Sequence, residues 1–228
     1  MAIKFMTIMR YLGEFFASAL MVALSCLGCA DGSEMPKLQY GLVVMIIIHC
    51  FGFVSGGHAN PCITVACYMM RYISLRMAMM YMLAQFLGAL TGYFLLTTML
   101  PTDAINKDLC LMKPNGSLSW DQTFVIELVL TTTLIFGWCA LWDARNSSYL
   151  DSVSLRIGLL VAACSLAGGQ WTGAAMNPAI TLIPAAYHQK FDDTAVYLAS
   201  QYSAGIFAPV LWKLLFSPRS FFNSSKAC

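Results

Sequence analysis

The chain has 228 residues, 59% of them hydrophobic and only 11% charged. A soluble domain is about 45–50% apolar and about 25% charged, so the composition excludes an ordinary soluble fold and predicts an all-α protein that lives in a bilayer. A net charge of +2 supplies no basic stripe for nucleic acid. Six spans of about 20 residues each leave no room for a soluble catalytic appendage, so neither enzyme activity nor a cofactor is expected.

Pro, Gly and charge clusters divide the apolar runs into spans near residues 10–30, 38–54, 77–99, 122–142, 153–170 and 193–216. The first contains Glu14, which the apolar region of a cleavable leader would not hold, so it is read as a retained span. Two short apolar pieces remain, 61–70 and 178–187. As helices each reaches only about 15 Å, half of a hydrocarbon core of about 30 Å. Neither crosses alone, and each begins directly after an Asn-Pro pair. The expected architecture is six transmembrane helices plus two re-entrant half-helices, one channel domain over residues 1–228. Residues 1–100 form the first repeat and 120–217 the second, joined by an outward or lumenal loop over 101–119.

The charges set an orientation. With both termini on one side, Lys4, Arg10, Arg71, Arg76, Arg145, Arg156, Lys213, Arg219 and Lys226 share that side, against Lys37, Lys107, Lys113 and Lys190 on the other. The positive-inside rule then puts both termini in the cytosol. Asp31, Glu34, Asp103, Asp108, Asp121, Asp192 and Asp193 face outward or lumenal solvent.

The halves repeat one another. Glu14 matches Glu127, Asn60-Pro61 matches Asn177-Pro178, and Gln85 matches Gln201, at offsets of 113, 117 and 116. Each half has three spans, an odd number, so the two copies insert with opposite topology. Inverted repeats with an interrupted helix at corresponding places point to a pathway at the bilayer midplane. Pro suits the first helical position because its missing N–H has no partner to lose there, and Asn before it is a good N-cap. Two half-helices entering from opposite faces would aim their N-termini, about +0.5 charge each, at one spot. The Asn amides then donate to a passing oxygen while the converging dipoles repel cations and protons.

These residues resemble the aquaporin (major intrinsic protein) superfamily over nearly the whole chain. The resemblance rests on Gly56-Gly57-His58-Ala59-Asn60-Pro61-Cys62 and Thr172-Gly173-Ala174-Ala175-Met176-Asn177-Pro178-Ala179, with Glu14, Glu127, Gln85 and Gln201 in family positions. Cys62 in place of the family's Ala, and the absence of the Arg that usually follows the second motif, are similar to the unorthodox or superaquaporin branch. His188 stands where that branch tends to carry Cys. The resemblance implies a homotetramer and a pore centred on Asn60, Pro61, Cys62, Asn177, Pro178 and Ala179. Counted by the family's spacing, it implies a selectivity constriction of Tyr40, Ser165, Ala174 and Ile180. Water-selective members carry His and Arg where this chain has Ser165 and Ile180, so relaxed selectivity is expected.

Glu14 and Glu127 have two readings: a proton relay, or buried acceptors that hold the N–H groups of the re-entrant loops, whose backbone must be satisfied at membrane depth. The second is preferred, and it is also what the family implies. His58 is read as pinning its loop rather than as a pH-sensitive gate. The spacing of His49, Cys50, His58 and Cys62 fits no tetrahedral metal site. Cys26, Cys50, Cys67, Cys139 and Cys164 are read as small buried hydrophobes, and the Met-rich stretches as packing and lipid-facing fill. Cys62, at a half-helix N-terminus, is either a reactive thiol or a packing residue. Asn115-Gly116-Ser117 is a usable glycosylation sequon, whereas Asn146 and Asn223 should face the cytosol.

The function expected is passive passage of water, glycerol and hydrogen peroxide through an intracellular (endoplasmic reticulum) or plasma membrane. The rivals are a proton-coupled transporter using Glu14 and Glu127, and a non-conducting structural membrane protein.

Overall fold

A computed structural model describes residues 2–30, 35–105 and 108–216. Asp31, Glu34, Lys107, Arg219, Asn223 and Lys226 lie outside the described residues. The elements are α1 (Ala2–Leu27), α2 (Pro36–Ser55), α3 (Pro61–Met69), α4 (Leu75–Met99), a single turn α5 (Thr102–Ile105), α6 (Trp120–Trp142), α7 (Val153–Thr172), α8 (Pro178–His188) and α9 (Thr194–Phe216). A 3-10 stretch, Ala144–Ser152, links α6 to α7. All six spans and both short pieces expected from the sequence are helices.

Local chemistry sets the helix ends. Ser74 caps α4 by accepting from the Met77 N–H at 3.2 Å. Ser119 and Gln122 form a reciprocal capping box at the start of α6. The helix α1 starts eight residues before the apolar run does, because Lys4 and Arg10 are not helix breakers and backbone hydrogen bonding needs no apolar side chains.

Five of the long helices, α1, α2, α4, α6 and α7, are long and apolar enough to cross a membrane. The sixth, α9, has 23 residues and turns its polar Ser200 and Gln201 into the protein, both fully buried. In a bilayer, close packing replaces the hydrophobic drive between helices, and small residues permit it. Gly88 and Gly92 of α4 lie against the backbone carbonyls of Phe15 and Ala19 of α1, with no space for a Cβ. Helices α2 and α7 meet in the same way, Gly41 of α2 facing Gly158 and Ala162 of α7. Large apolar side chains such as Phe53, Phe94, Phe207 and Leu214 point outward, as lipid contact requires.

Two of the cysteine readings need correction. Cys26 is not a free packing residue: it is bridged to Cys110, 84 positions away, where the residues from Asp108 onward lie against the end of α1. Cys50 lies on the outer face of α2 and is exposed, while Cys67, Cys139 and Cys164 are buried as expected.

Candidate functional site

The two half-helices meet at their N-termini inside the bundle. Asn60 and Asn177 both have extended backbone, and each side-chain oxygen accepts from the N–H two residues on, Cys62 and Ala179, at 2.9 Å. The amide nitrogens cross over. Asn60 Nδ2 donates to the Met176 carbonyl at 2.8 Å, and Asn177 Nδ2 donates to the Ala59 carbonyl at 3.1 Å. Each Asn therefore holds the residue preceding the other. An amide nitrogen carries two hydrogens, so the carbonyl bond leaves a second one on each; that of Asn177 faces Met21 Sδ at 3.8 Å.

Each approach loop hangs from one buried carboxylate. Glu14 accepts from Ser55 Oγ at 2.6 Å, from the His58 and Ala59 N–H groups at 3.0 and 2.8 Å, and from Gln85 Nε2 at 2.7 Å. Glu127 accepts from Thr172 Oγ1 at 2.6 Å, from the Ala175 and Met176 N–H groups at 3.2 Å each, and from Gln201 Nε2 at 3.4 Å. Gln85 also donates to Thr64, as Gln201 does to Thr181, at 2.8 and 3.0 Å. Tyr81 donates to the Ser55 carbonyl at 2.7 Å and Tyr197 to the Thr172 carbonyl at 2.6 Å. The pairs Ser55/Thr172, Thr64/Thr181 and Tyr81/Tyr197 were missed by sequence reasoning. The signal was present: they recur at offsets of 117, 117 and 116.

This support holds a strained backbone. Gly56 and Gly173 end α2 and α7 at φ of 99° and 82°, where glycine carries no penalty. Ala59, Ala174 and Met176 also have positive φ, 45°, 53° and 49°. Side chains rarely adopt that region and persist there only when their surroundings fix them. His58 is fixed likewise, Nδ1 at 3.1 Å from Thr64 Oγ1 and the ring among Tyr81, Trp138 and Trp142.

A cavity adjoins the Asn pair, lined by Tyr40, His58, Asn60, Leu134, Val161 and Asn177 among others. The cavity has room for about one water molecule. The structure brings Tyr40 to this cavity, but Ser165, Ala174 and Ile180 are not among its lining residues. Ile180 and Ala174 are 3% and 0% exposed and belong to two separate apolar clusters, and Tyr40 packs against both. The Tyr40 hydroxyl donates to the Ala175 carbonyl at 3.0 Å, tying α2 to the second loop. Ser165 lies one turn beyond Val161 on the same face of α7, and its buried hydroxyl has no hydrogen-bond partner among the described residues.

Cys62 is fully buried, and its backbone faces Gly205 of α9, where an added Cβ would lie 3.2 Å from the Cys62 carbonyl. This geometry favours packing over reactivity. A small methanethiosulfonate is expected to label exposed Cys29 and Cys50 and to leave Cys62 unmodified. Labelling of Cys62, detected by mass spectrometry, would reverse that assignment. Asn115 is exposed, and its Oδ1 accepts from the Ser117 N–H and hydroxyl. Asn146 is tied to the Ala140 carbonyl at 3.1 Å.

Comparison with known proteins agrees with this geometry. The sequence model of the major intrinsic protein family matches residues 2–211. Aquaporin-2 of Bos taurus is 35% identical over 216 residues, covering 91% of this chain and 78% of that protein. Aquaporin-4 of Bos taurus is 32% identical over 216 residues, covering 90% of this chain, which spans 66% of the relative's length. Aquaporin-4 of Homo sapiens is matched to the same extent. Among solved structures, the aquaglyceroporin from Plasmodium falciparum superposes with a TM-score of 0.84 at 19% identity, over 95% of this chain and 99% of that one, a likeness of fold. A family match over nearly the whole length, together with the paired Asn-Pro half-helices, means that this chain belongs to the major intrinsic protein family and is a multi-pass membrane protein.

Proposed function

We propose that the chain is a passive channel for water and small uncharged solutes, with glycerol passing alongside water and hydrogen peroxide as a further permeant. The observation that carries this reading is the crossed pair of Asn amides at two converging half-helix N-termini. That arrangement offers N–H donors to a neutral oxygen and positive dipole ends to any cation. The structural role of Glu14 and Glu127 is favoured over a proton relay by the four hydrogen bonds that each already accepts.

Asn60, Pro61, Cys62, Asn177, Pro178 and Ala179 form the pore centre in this reading, and Tyr40, Ser165, Ala174 and Ile180 the constriction. Glu14, Glu127 and His58 scaffold the loops. The relaxed selectivity rests on Ser165 and Ile180, which offer a small hydroxyl and an apolar face where an imidazole and a guanidinium would narrow the path. With Cys62 after the first Asn-Pro, these substitutions favour the unorthodox branch. We further read both termini as cytosolic and the loop around Asn115 as outward or lumenal. The Cys26–Cys110 bridge supports this orientation, since disulfides persist in oxidising compartments and this one lies at the end of α1 remote from the N-terminus. The assembly is a homotetramer by likeness to the family, in an intracellular or plasma membrane.

Swelling of proteoliposomes in water, glycerol and urea gradients tests the reading. Water and glycerol are both expected to pass, without dependence on a pH gradient. Ile180→Arg, compared at equal protein density, is expected to raise the ratio of water to glycerol flux about tenfold or more, a differential interaction of about 1.4 kcal/mol. A wild type that passes water quickly and excludes glycerol overturns the assigned constriction.

A further inference from the structure

We propose that Cys26, Cys29 and Cys110 form a thiol–disulfide exchange site, in which the Cys29 thiol displaces Cys26 from Cys110 and re-anchors the stretch from Asp108 to Met112. Cys26-Leu27-Gly28-Cys29 has the Cys-x-x-Cys spacing of redox-active pairs. The chain leaves α1 in a turn, with the Cys29 N–H donating to the Cys26 carbonyl at 3.1 Å, which folds Cys29 back over the helix end. Its Sγ lies 4.0 Å from Cys110 Sγ and 3.6 Å from the Ser25 carbonyl oxygen. Cys110 is thus reached by two sulfurs, Cys26 from inside the bundle and Cys29 from the exposed side. Cys26 is fully buried and Cys110 is 7% exposed, whereas Cys29 is an exposed residue whose sulfur is tucked against Ser25 and Cys110, a burial that pushes its thiol pKa up.

The step balances without an external oxidant. The Cys29 thiol gives up its proton to solvent, and its thiolate attacks Cys110 Sγ. A Cys29–Cys110 bond forms as the Cys26–Cys110 bond breaks, and the electron pair leaves on Cys26 Sγ, which then takes up a proton. One disulfide and one thiol exist before and after.

The exchange matters because of what Cys110 carries. Around it, Asp108 pairs with Lys113 and Lys190, both at 2.7 Å, and the Leu109 carbonyl accepts from Tyr93. Cys110 itself sits at a φ of 59°, so its position is held by these contacts and by the bridge. Two residues on, Met112 lies over Gly173, where an added Cβ would come within 3.0 Å of Met112 Sδ, and Gly173 opens the loop leading to Asn177. Moving the tether from Cys26 to Cys29 shifts its anchor by three residues, from the last turn of α1 to the turn beyond it.

The test maps disulfides in the full-length purified protein. After incubation without reductant in mildly alkaline buffer, the protein is acid-quenched, then denatured at weakly acidic pH with maleimide present so that buried and exposed thiols are both labelled. It is then digested, and bridged peptides are identified by mass spectrometry. Wild type is expected to give both Cys26–Cys110 and Cys29–Cys110, the minor form at about a tenth of the total or more, with label shared reciprocally between Cys29 and Cys26. Cys29→Ser should give Cys26–Cys110 alone. Cys26→Ser, treated with oxidised glutathione, should give Cys29–Cys110. The proposal is overturned if wild type yields only Cys26–Cys110 with all label on Cys29. It is equally overturned if folded Cys26→Ser leaves Cys110 free. Should Cys26→Ser not fold, the wild-type map against Cys29→Ser decides alone.

Discussion

Asn60→Asp and Asn177→Asp are each expected to reduce neutral-solute flux about tenfold or more, the loss of at least about 1.4 kcal/mol of favourable interaction. The substitution is nearly isosteric, and the capping oxygen that accepts from Cys62 or Ala179 is retained, so the half-helix keeps its start. What changes is the other atom. At Asn60 an oxygen would replace Nδ2 only 2.8 Å from the Met176 carbonyl, setting two acceptors face to face. If the new carboxyl is ionised, it repels that carbonyl and offsets the positive ends of both half-helices, in a buried place where an unpaired charge is costly. If it is protonated, its single hydrogen serves the carbonyl and none remains for a permeant. Both routes remove the donor that the amide offers. The measurement is swelling per unit of reconstituted protein, with the amount in the membrane checked first. Wild-type flux from either variant, present in normal amount, would show that the pore centre lies elsewhere.

The parts of the site that were legible in the sequence are those whose residue type is costly out of place. A carboxylate inside an apolar span, a Pro after an Asn, and a Gln early in a span each demand a reason, and their recurrence at offsets of 113 to 117 supplied one. The rest of the support was written in commoner residues. Ser55 and Thr172 make the same two contacts, one to a Glu and one to a loop N–H, yet they differ in type and sit among other hydroxyls. Tyr81 and Tyr197 look like apolar fill until their hydroxyls are found on loop carbonyls. The disulfide was hidden for a different reason. Cys26 stands within an apolar run, and its partner lies in the connecting loop, so no local spacing relates them. The positions of Ser165, Ala174 and Ile180 follow from family counting alone, and their burial in separate surroundings depends on how α2, α7 and α8 pack, which no periodicity encodes.

Replacing either loop-holding carboxylate with Ala should cost several kcal/mol, and the two losses should be unequal. Glu14→Ala orphans four buried donors: Ser55 Oγ, the His58 and Ala59 N–H groups, and Gln85 Nε2. Each orphan costs about 1–3 kcal/mol, so even with relaxation the sum is a large share of a total stability of about 5–15 kcal/mol. Glu127→Ala orphans the corresponding four. Its bonds, however, are longer, 3.2 Å to each N–H and 3.4 Å to Gln201, against 2.7–3.0 Å for the equivalent bonds of Glu14. Longer bonds forfeit less when lost, so Glu14→Ala should lower the melting temperature and membrane yield more than Glu127→Ala does. The same experiment separates scaffold from relay. A relay needs a carboxylate that gives up and takes back a proton, so Glu14→Gln would fold normally and abolish flux coupled to a pH gradient. A scaffold predicts no such coupling in wild type and a loss of stability in the Gln variant smaller than in the Ala variant, because one acceptor oxygen remains for two of the four donors. Wild-type thermal stability in Glu14→Ala would remove the scaffold role altogether, since four buried donors cannot be left without partners at no cost.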